Sequence, residues 1–95
     1  MGRTGTGGGD GGGNVMLFYS AHADAVIAAR KIEKIWVEKT LAAPDWIEPD
    51  PADLTVSRAF KQIEDFGNRV LRVAYRPIGA DILVITVFFD RGARR

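Results

Sequence analysis

VSRAFKQIEDFGNRVLRVAY, residues 56–75, is the stretch on which the fold turns. Its first half reads two ways. Val56, Phe60 and Ile63 recur at helical spacing, while the β-branched and aromatic content suits a strand. The second half decides between them. Asp65-Phe66-Gly67-Asn68 carries turn chemistry and leads into the alternating run Val70–Tyr75, so strand, turn, strand is the economical reading. In the second strand Leu71, Val73 and Tyr75 share one face, and Val70, Arg72 and Ala74 the other. The register between the two strands stays open.

Toward the C-terminus, Pro77 and Gly79 mark another turn. Ile82–Phe89 is then apolar on both alternating faces, as a central strand is. Toward the N-terminus, Trp46-Ile47-Glu48 is a candidate brief strand ahead of the Pro-Asp-rich residues 49–53. From Ala21 to Ala42, Ile32, Ile35, Trp36, Val37 and Leu41 fall at helical spacing, which one long helix or two shorter ones satisfy equally. Pro44 closes that region, because its ring and the restriction it puts on Ala43 oppose continuation. Ser20 stands where an N-cap is expected, after the short apolar lead-in Val15–Tyr19. Helices first and a mostly antiparallel sheet after make an α+β domain. Trp36 and Trp46 are both assigned to its core.

A chain of 95 residues and 10.4 kDa holds one small domain. Eight of its eleven glycines lie in residues 1–14. MGRTGTGGGDGGGN has no apolar residue beyond Met1 and cannot offset its ordering entropy, so it is read as a disordered tail before a single domain at 15–95. Gly7, Gly9 and Gly12 match a dinucleotide-loop spacing, but no strand precedes them. The absence of Cys excludes disulfide scaffolds, thiolate zinc sites and cysteine nucleophiles. No apolar run approaches the roughly 18–20 residues of a membrane span, and a cytoplasmic location without membrane partners is expected.

Net charge is only +1, but it is unevenly placed. Residues 15–54 hold four basic and seven acidic side chains, net −3, and residues 55–95 hold eight basic and four acidic, net +4. A basic sheet half points modestly to an anionic ligand. His22 is the one histidine, a candidate general acid–base or a plain hydrogen-bonding residue at a helix start. Arg58, Lys61, Arg69, Arg72 and Arg76 spread over the two strands and their turn. An arginine such as Arg72 on a partly apolar sheet face needs a carboxylate or a phosphate. No Ser-His-Asp set is present, and neither metal nor cofactor is expected.

Taken in order, several segments carry a resemblance. They are FYSAHA; Arg30-x-Ile32 with Trp36-Val37-Glu38-x-x-Leu41; Pro44-Asp45; Arg58-x-Phe60-Lys61; Gly67-x-Arg69-x-Leu71-Arg72-Val73-x-Tyr75; and Val84–Arg91. Over about residues 16–95 the chain resembles domain of unknown function family 4258 (DUF4258), small bacterial proteins similar to RelE-type toxins. The resemblance implies two N-terminal helices, broken near Arg30–Glu33, packed on a mostly antiparallel sheet of about four strands in a RelE/barnase-like fold. It also makes Val56–Ile63 a strand.

The wider group cleaves RNA without metal, which implies a RelE-like endoribonuclease toxin of a toxin–antitoxin pair acting on single-stranded RNA. Its partners would be RNA, including ribosome-bound mRNA, and a cognate antitoxin protein. On that implication His22, Arg58 and Arg72 are catalytic, while Arg30, Lys61, Tyr75 and Thr86 contact the substrate. The chain departs from the family pattern at Val26, where an arginine is usual, losing one cation near His22. The competing expectation is a non-catalytic protein-binding module on the same scaffold.

Overall fold

Val84 and Val87 are both fully buried in one hydrophobic core, although a regular strand would aim them to opposite faces. The computed structural model, which describes residues 15–93, resolves the conflict with a β-bulge. In the last hairpin Ala74 lies opposite Thr86 and Tyr75 opposite Val84, so Ile85 is an extra residue without a partner. The extra residue resets the side-chain alternation, and Val84, Val87 and Phe89 come to one side.

The elements are β1 (Leu17–Tyr19), α1 (Ala21–Arg30), α2 (Lys34–Ala42), β2 (Trp46–Pro49), β3 (Ser57–Ile63), a 3-10 turn (Glu64–Phe66), β4 (Arg69–Ile78) and β5 (Asp81–Phe89). They form a mixed five-stranded sheet ordered β1-β5-β4-β3-β2, in which β1 runs parallel to β5 and all other pairs are antiparallel. The domain is α+β with two helices, but its sheet has five strands where about four, mostly antiparallel, are expected from the sequence. Both short apolar segments, before α1 and after α2, find a strand to pair with. The glycine-rich residues 1–14, read as a disordered tail, lie outside the described residues.

Both helices cover the same sheet face. Ala23 and Ile27 of α1 and Trp36 and Val37 of α2 share a cluster with Ile63, Leu71, Val73, Val84 and Val87. Burying one such aliphatic side chain contributes about 1.5–3 kcal/mol, so the two central strands supply most of the sheet's share. Trp36 contacts Phe66 (ring centroids 5.4 Å) and Phe89 (6.0 Å), which ties α2 to the 3-10 turn and the end of β5. Thr40 is fully buried in α2, and its hydroxyl donates to the Trp36 carbonyl at 2.7 Å.

The break between the helices is a Schellman ending. Lys31 adopts φ 55°, its N–H reaches the Ala28 carbonyl, and the Ile32 N–H reaches the Ile27 carbonyl at 3.0 Å. Ile27 and Ile32 both enter the core, supplying the apolar contact of that motif. Glycine usually holds such a position, and a side chain there costs on the order of 1 kcal/mol.

The other end of α1 is joined to the bulge. The Ser20 hydroxyl accepts the Ala23 N–H at 3.0 Å as an N-cap and donates to the Ile85 carbonyl at 2.8 Å. The Ser20 N–H donates to the Val84 carbonyl at 2.9 Å. One side chain therefore caps a helix and satisfies the carbonyl of the bulged residue.

Denaturant unfolding of the whole protein checks both ends of α1. Lys31→Gly is expected to raise stability by about 0.5–1 kcal/mol, since it removes the Cβ from a left-handed position. Ser20→Ala is expected to lower it by about 1–3 kcal/mol, the cost of a lost cap and an unpaired carbonyl.

Candidate functional site

The sheet face turned away from the helices carries no helix among the described residues, and the strand registers order its side chains into rows. One row reads Thr86, Ala74, Arg58, Glu48 across four strands. The next reads Phe88, Arg72, Phe60, Trp46. Arg72 therefore sits in a central strand with an aromatic residue on each side. Its guanidinium lies 3.9 Å from the Phe88 ring centroid, and Phe60 and Trp46 stack on each other at 4.7 Å with ring planes 4° apart. The rings give Arg72 a cation–π surface in place of water. Phe60 is buried here, outside the helix-side core. Trp46, assigned to the core from the sequence, is a half-buried residue of this open face, and its Nε1–H donates to Glu48 at 3.1 Å.

Charge concentrates on the same face. Arg72 pairs with Asp90 at 3.2 Å, and Arg58 pairs with Asp50 at 3.5 Å. Burial, and then the neighbouring Arg58, push the Arg72 pKa below its usual value, while Asp90, Asp50 and Glu48 oppose that shift. The two arginines thus sense each other across one diagonal of the sheet. Arginine keeps its proton at neutral pH regardless. Asp50 closes an Asx turn, accepting the Ala52 N–H at 2.7 Å and the Asp53 N–H at 3.2 Å. Those backbone donors, the Ala52 N–H first, and then Arg58 hold its carboxyl below the usual range. Ala74, with only a methyl group, is the low point between Thr86 and Arg58.

Of the residues singled out from the sequence, Arg58, Arg72 and Thr86 meet on this face. Tyr75 and Lys61 lie on the helix side, opposite Val84 and Leu71. Lys61 is engaged locally there: its ammonium donates to the Ala43 carbonyl at the end of α2, 2.9 Å away, and pairs with Asp45 at 3.8 Å. Arg30 is exposed in the last turn of α1 with no ion pair among the described residues. His22 is exposed in the first turn of α1, and no described hydrogen bond or ring contact joins it to the arginines. Ser20, two residues earlier, is joined to the Ile85 carbonyl, but α1 packs on the helix side, and no described contact brings His22 to the open face.

Sequence reasoning does not single out Trp46, Glu48, Asp50 or Asp90. Asp90 directly follows the last strand, and Asp50 stands in a Pro-Asp loop. Both patterns read simply as turns.

The family model described as "Domain of unknown function (DUF4258)" matches residues 19–89, a span that contains both helices, every strand but the start of β1, and the two arginine rows. The chain belongs to the DUF4258 family. No curated protein and no solved structure matches it. In this DUF4258 domain no described helix is long and apolar enough to cross a membrane. Among the described residues no three His, Asp or Glu side chains gather as a metal site would require.

Two measurements probe the site. The Asp50 carboxyl, followed by NMR, is expected to titrate below an ordinary aspartate. Because its folded pKa is depressed, its stabilising contribution is present above the unfolded value and fades as pH falls through the folded one. Asp50→Asn should abolish that part of the acid response. Second, Arg72→Met combined with Asp90→Asn is expected to stay within about 1 kcal/mol of the parent in urea, since partly exposed pairs contribute little. A loss above that size would make the pair a structural requirement.

Proposed function

We propose that this DUF4258 protein is a RelE-like, metal-independent endoribonuclease that cleaves single-stranded RNA and serves as the toxin of a toxin–antitoxin pair. The observation that carries the reading is the convergence of Arg58 and Arg72 on one open sheet face around Ala74 and Thr86. Two like charges at that separation repel, and an anion between them relieves the repulsion.

In the reaction a ribose 2′-oxygen bonds to the adjacent phosphorus and the bond to the 5′-oxygen breaks. The products are a 2′,3′-cyclic phosphate and a 5′-hydroxyl. The 2′-hydroxyl gives its proton to a base, and the departing 5′-oxygen receives one from an acid. Arg58 and Arg72 neutralise the crowded phosphorane, Thr86 offers a hydroxyl to one of its oxygens, and His22 is assigned the proton transfer, which requires its imidazole to reach this face.

Asp50 and Asp90 already hold the guanidiniums. Such partly exposed pairs are worth only about 0–1 kcal/mol each, so a phosphate can displace the carboxylates. The same pairs favour a second reading, a non-catalytic module whose arginines engage carboxylates of a protein partner.

Inducible expression of the full chain in a bacterial host, with growth and RNA integrity monitored, separates the two. Arrest with RNA cleavage is expected from wild type. Cleavage by folded Arg72→Ala or His22→Ala protein should drop by about 10²–10³-fold, and an RNA lacking the 2′-hydroxyl should stay intact. Harmless accumulation of folded wild type with intact RNA would overturn the nuclease and leave the module.

A further inference from the structure

One row beyond Arg72 the open face ends in a pocket of about 620 Å³, bordered by Trp46, Gln62, Asn68, Arg69, Asp90 and Arg91. Its floor is Val70, whose carbonyl accepts the Asp90 N–H at 2.9 Å and which lies opposite Gln62 in the sheet. The aromatic wall is pinned: Phe60 covers one side of the Trp46 indole, and Glu48 takes its Nε1–H.

The polar wall is only partly engaged. Gln62 Nε2 donates to the Asn68 backbone carbonyl at 3.2 Å, which orients the amide and leaves its Oε1 without a described donor. The Asn68 side-chain amide has no described partner. Arg69 lies over the Phe66 ring, and neither it nor Arg91 forms an ion pair among the described residues. Asp90 is occupied by Arg72, and its second role is to accept the Gly92 N–H at 3.0 Å. Asp45 also lines the pocket, pairs with Lys61 and accepts the Gln62 N–H at 2.8 Å, so two engaged carboxylates and two guanidiniums border it and its formal charges balance.

We propose that this pocket is a nucleobase subsite for single-stranded RNA, with the base against Trp46 and the amides of Gln62 and Asn68 and the flanking phosphates on Arg69 and Arg91. A rigid aromatic ring offers a stacking surface that any base can use. Free amide groups read the Watson–Crick edge of an unpaired base, and arginines track the backbone. The volume suits one nucleotide. Asp90 connects it to the reacting phosphate, since the carboxylate that borders the pocket also holds Arg72. The subsite rests on the ribonuclease reading for its place in a reaction, but its binding does not require cleavage.

The test titrates the full-length protein with four homopolymeric 2′-O-methyl oligoribonucleotides, which keep the bases and cannot be cut. Binding is read by fluorescence anisotropy of end-labelled oligonucleotides, a signal that substitution of Trp46 leaves in place. One homopolymer is expected to bind best, and Trp46→Ala should weaken it by about 5- to 100-fold. Asn68→Gly, which suits the backbone φ of 58° at that position, should flatten the preference among the four with the fold intact. Arg91→Ala should weaken all four alike and reduce the salt dependence of binding.

Unchanged affinity and base order in folded Asn68→Gly and Trp46→Ala proteins would overturn the subsite, as would absence of binding by wild type. Cleavage of unmodified RNA, assayed in parallel, separates this failure from failure of the nuclease. Binding with a base preference but no cleavage keeps the subsite and sinks the enzyme. Cleavage with a preference that neither variant alters does the reverse.

Discussion

One surplus residue in the last strand organises this domain. Without the bulge at Ile85, Val84 and Val87 would point to opposite faces, and one of them would leave the core. Either loss removes an aliphatic side chain worth about 1.5–3 kcal/mol from a domain small enough to be marginal. The bulge leaves the Ile85 carbonyl outside the ladder, and Ser20 supplies its hydrogen bond while capping α1. The register of the edge strand β1, the start of α1 and the face of Thr86 are thereby set together. A change at Ser20 reaches the open face through the backbone of β5, with no contact to the arginines.

That division gives the two sheet faces different physics. The helix side is an apolar cluster of Leu71, Val73, Val84 and Val87 under α1 and α2, where burial does the stabilising. The open side buries Phe60 beneath an aromatic and cationic layer, with Arg72 over Phe88 and Trp46 stacked on Phe60. Arginine suits this layer where lysine would not, since its planar, weakly hydrated group stacks on a ring and still presents its edge donors. Asp50 and Asp90 fix those edges in the absence of a ligand.

Much of this is legible in the residues. Local chemistry suffices for the strand, turn and strand of 56–75, for the stop at Pro44, and for the assignment of Arg72 to the face opposite Leu71 and Val73. Periodicity does not decide the break after Arg30, because a lysine occupies the left-handed position where glycine would have announced it. The bulge is invisible for a different reason: residues 82–89 are apolar at nearly every position, and such a run hides any change of alternation. Lys61 shares a strand with Arg58 but lies three residues on, so alternation alone turns it to the other face. Trp46 reads as core because large aromatics usually are; only the pairing of β2 with β3 puts it beside Phe60 on the open side.

Arg72 holds a place on the sheet that an uncharged side chain could fill. Side chains of similar size without charge would fill its place between Phe60 and Phe88, and apolar replacements of such ion pairs are often neutral or stabilising. Arg72 instead sits where burial and Arg58 both disfavour its charge, an effect opposed by Asp90 after β5 and by Glu48 and Asp50 at the end of β2. Under the proposed function, the carboxylates keep the arginines in position until a phosphate takes over their place. The pocket past Asp90 repeats the pattern along the sheet: Arg69 and Arg91 stand with Asp45 and Asp90 around it, and an aromatic wall stands beside them. A protein partner's carboxylates would satisfy the arginines equally well, but they have no use for a nucleotide-sized recess between an indole and two amides. If the ribonuclease proposal holds, that recess is what distinguishes RNA from a protein partner on this face.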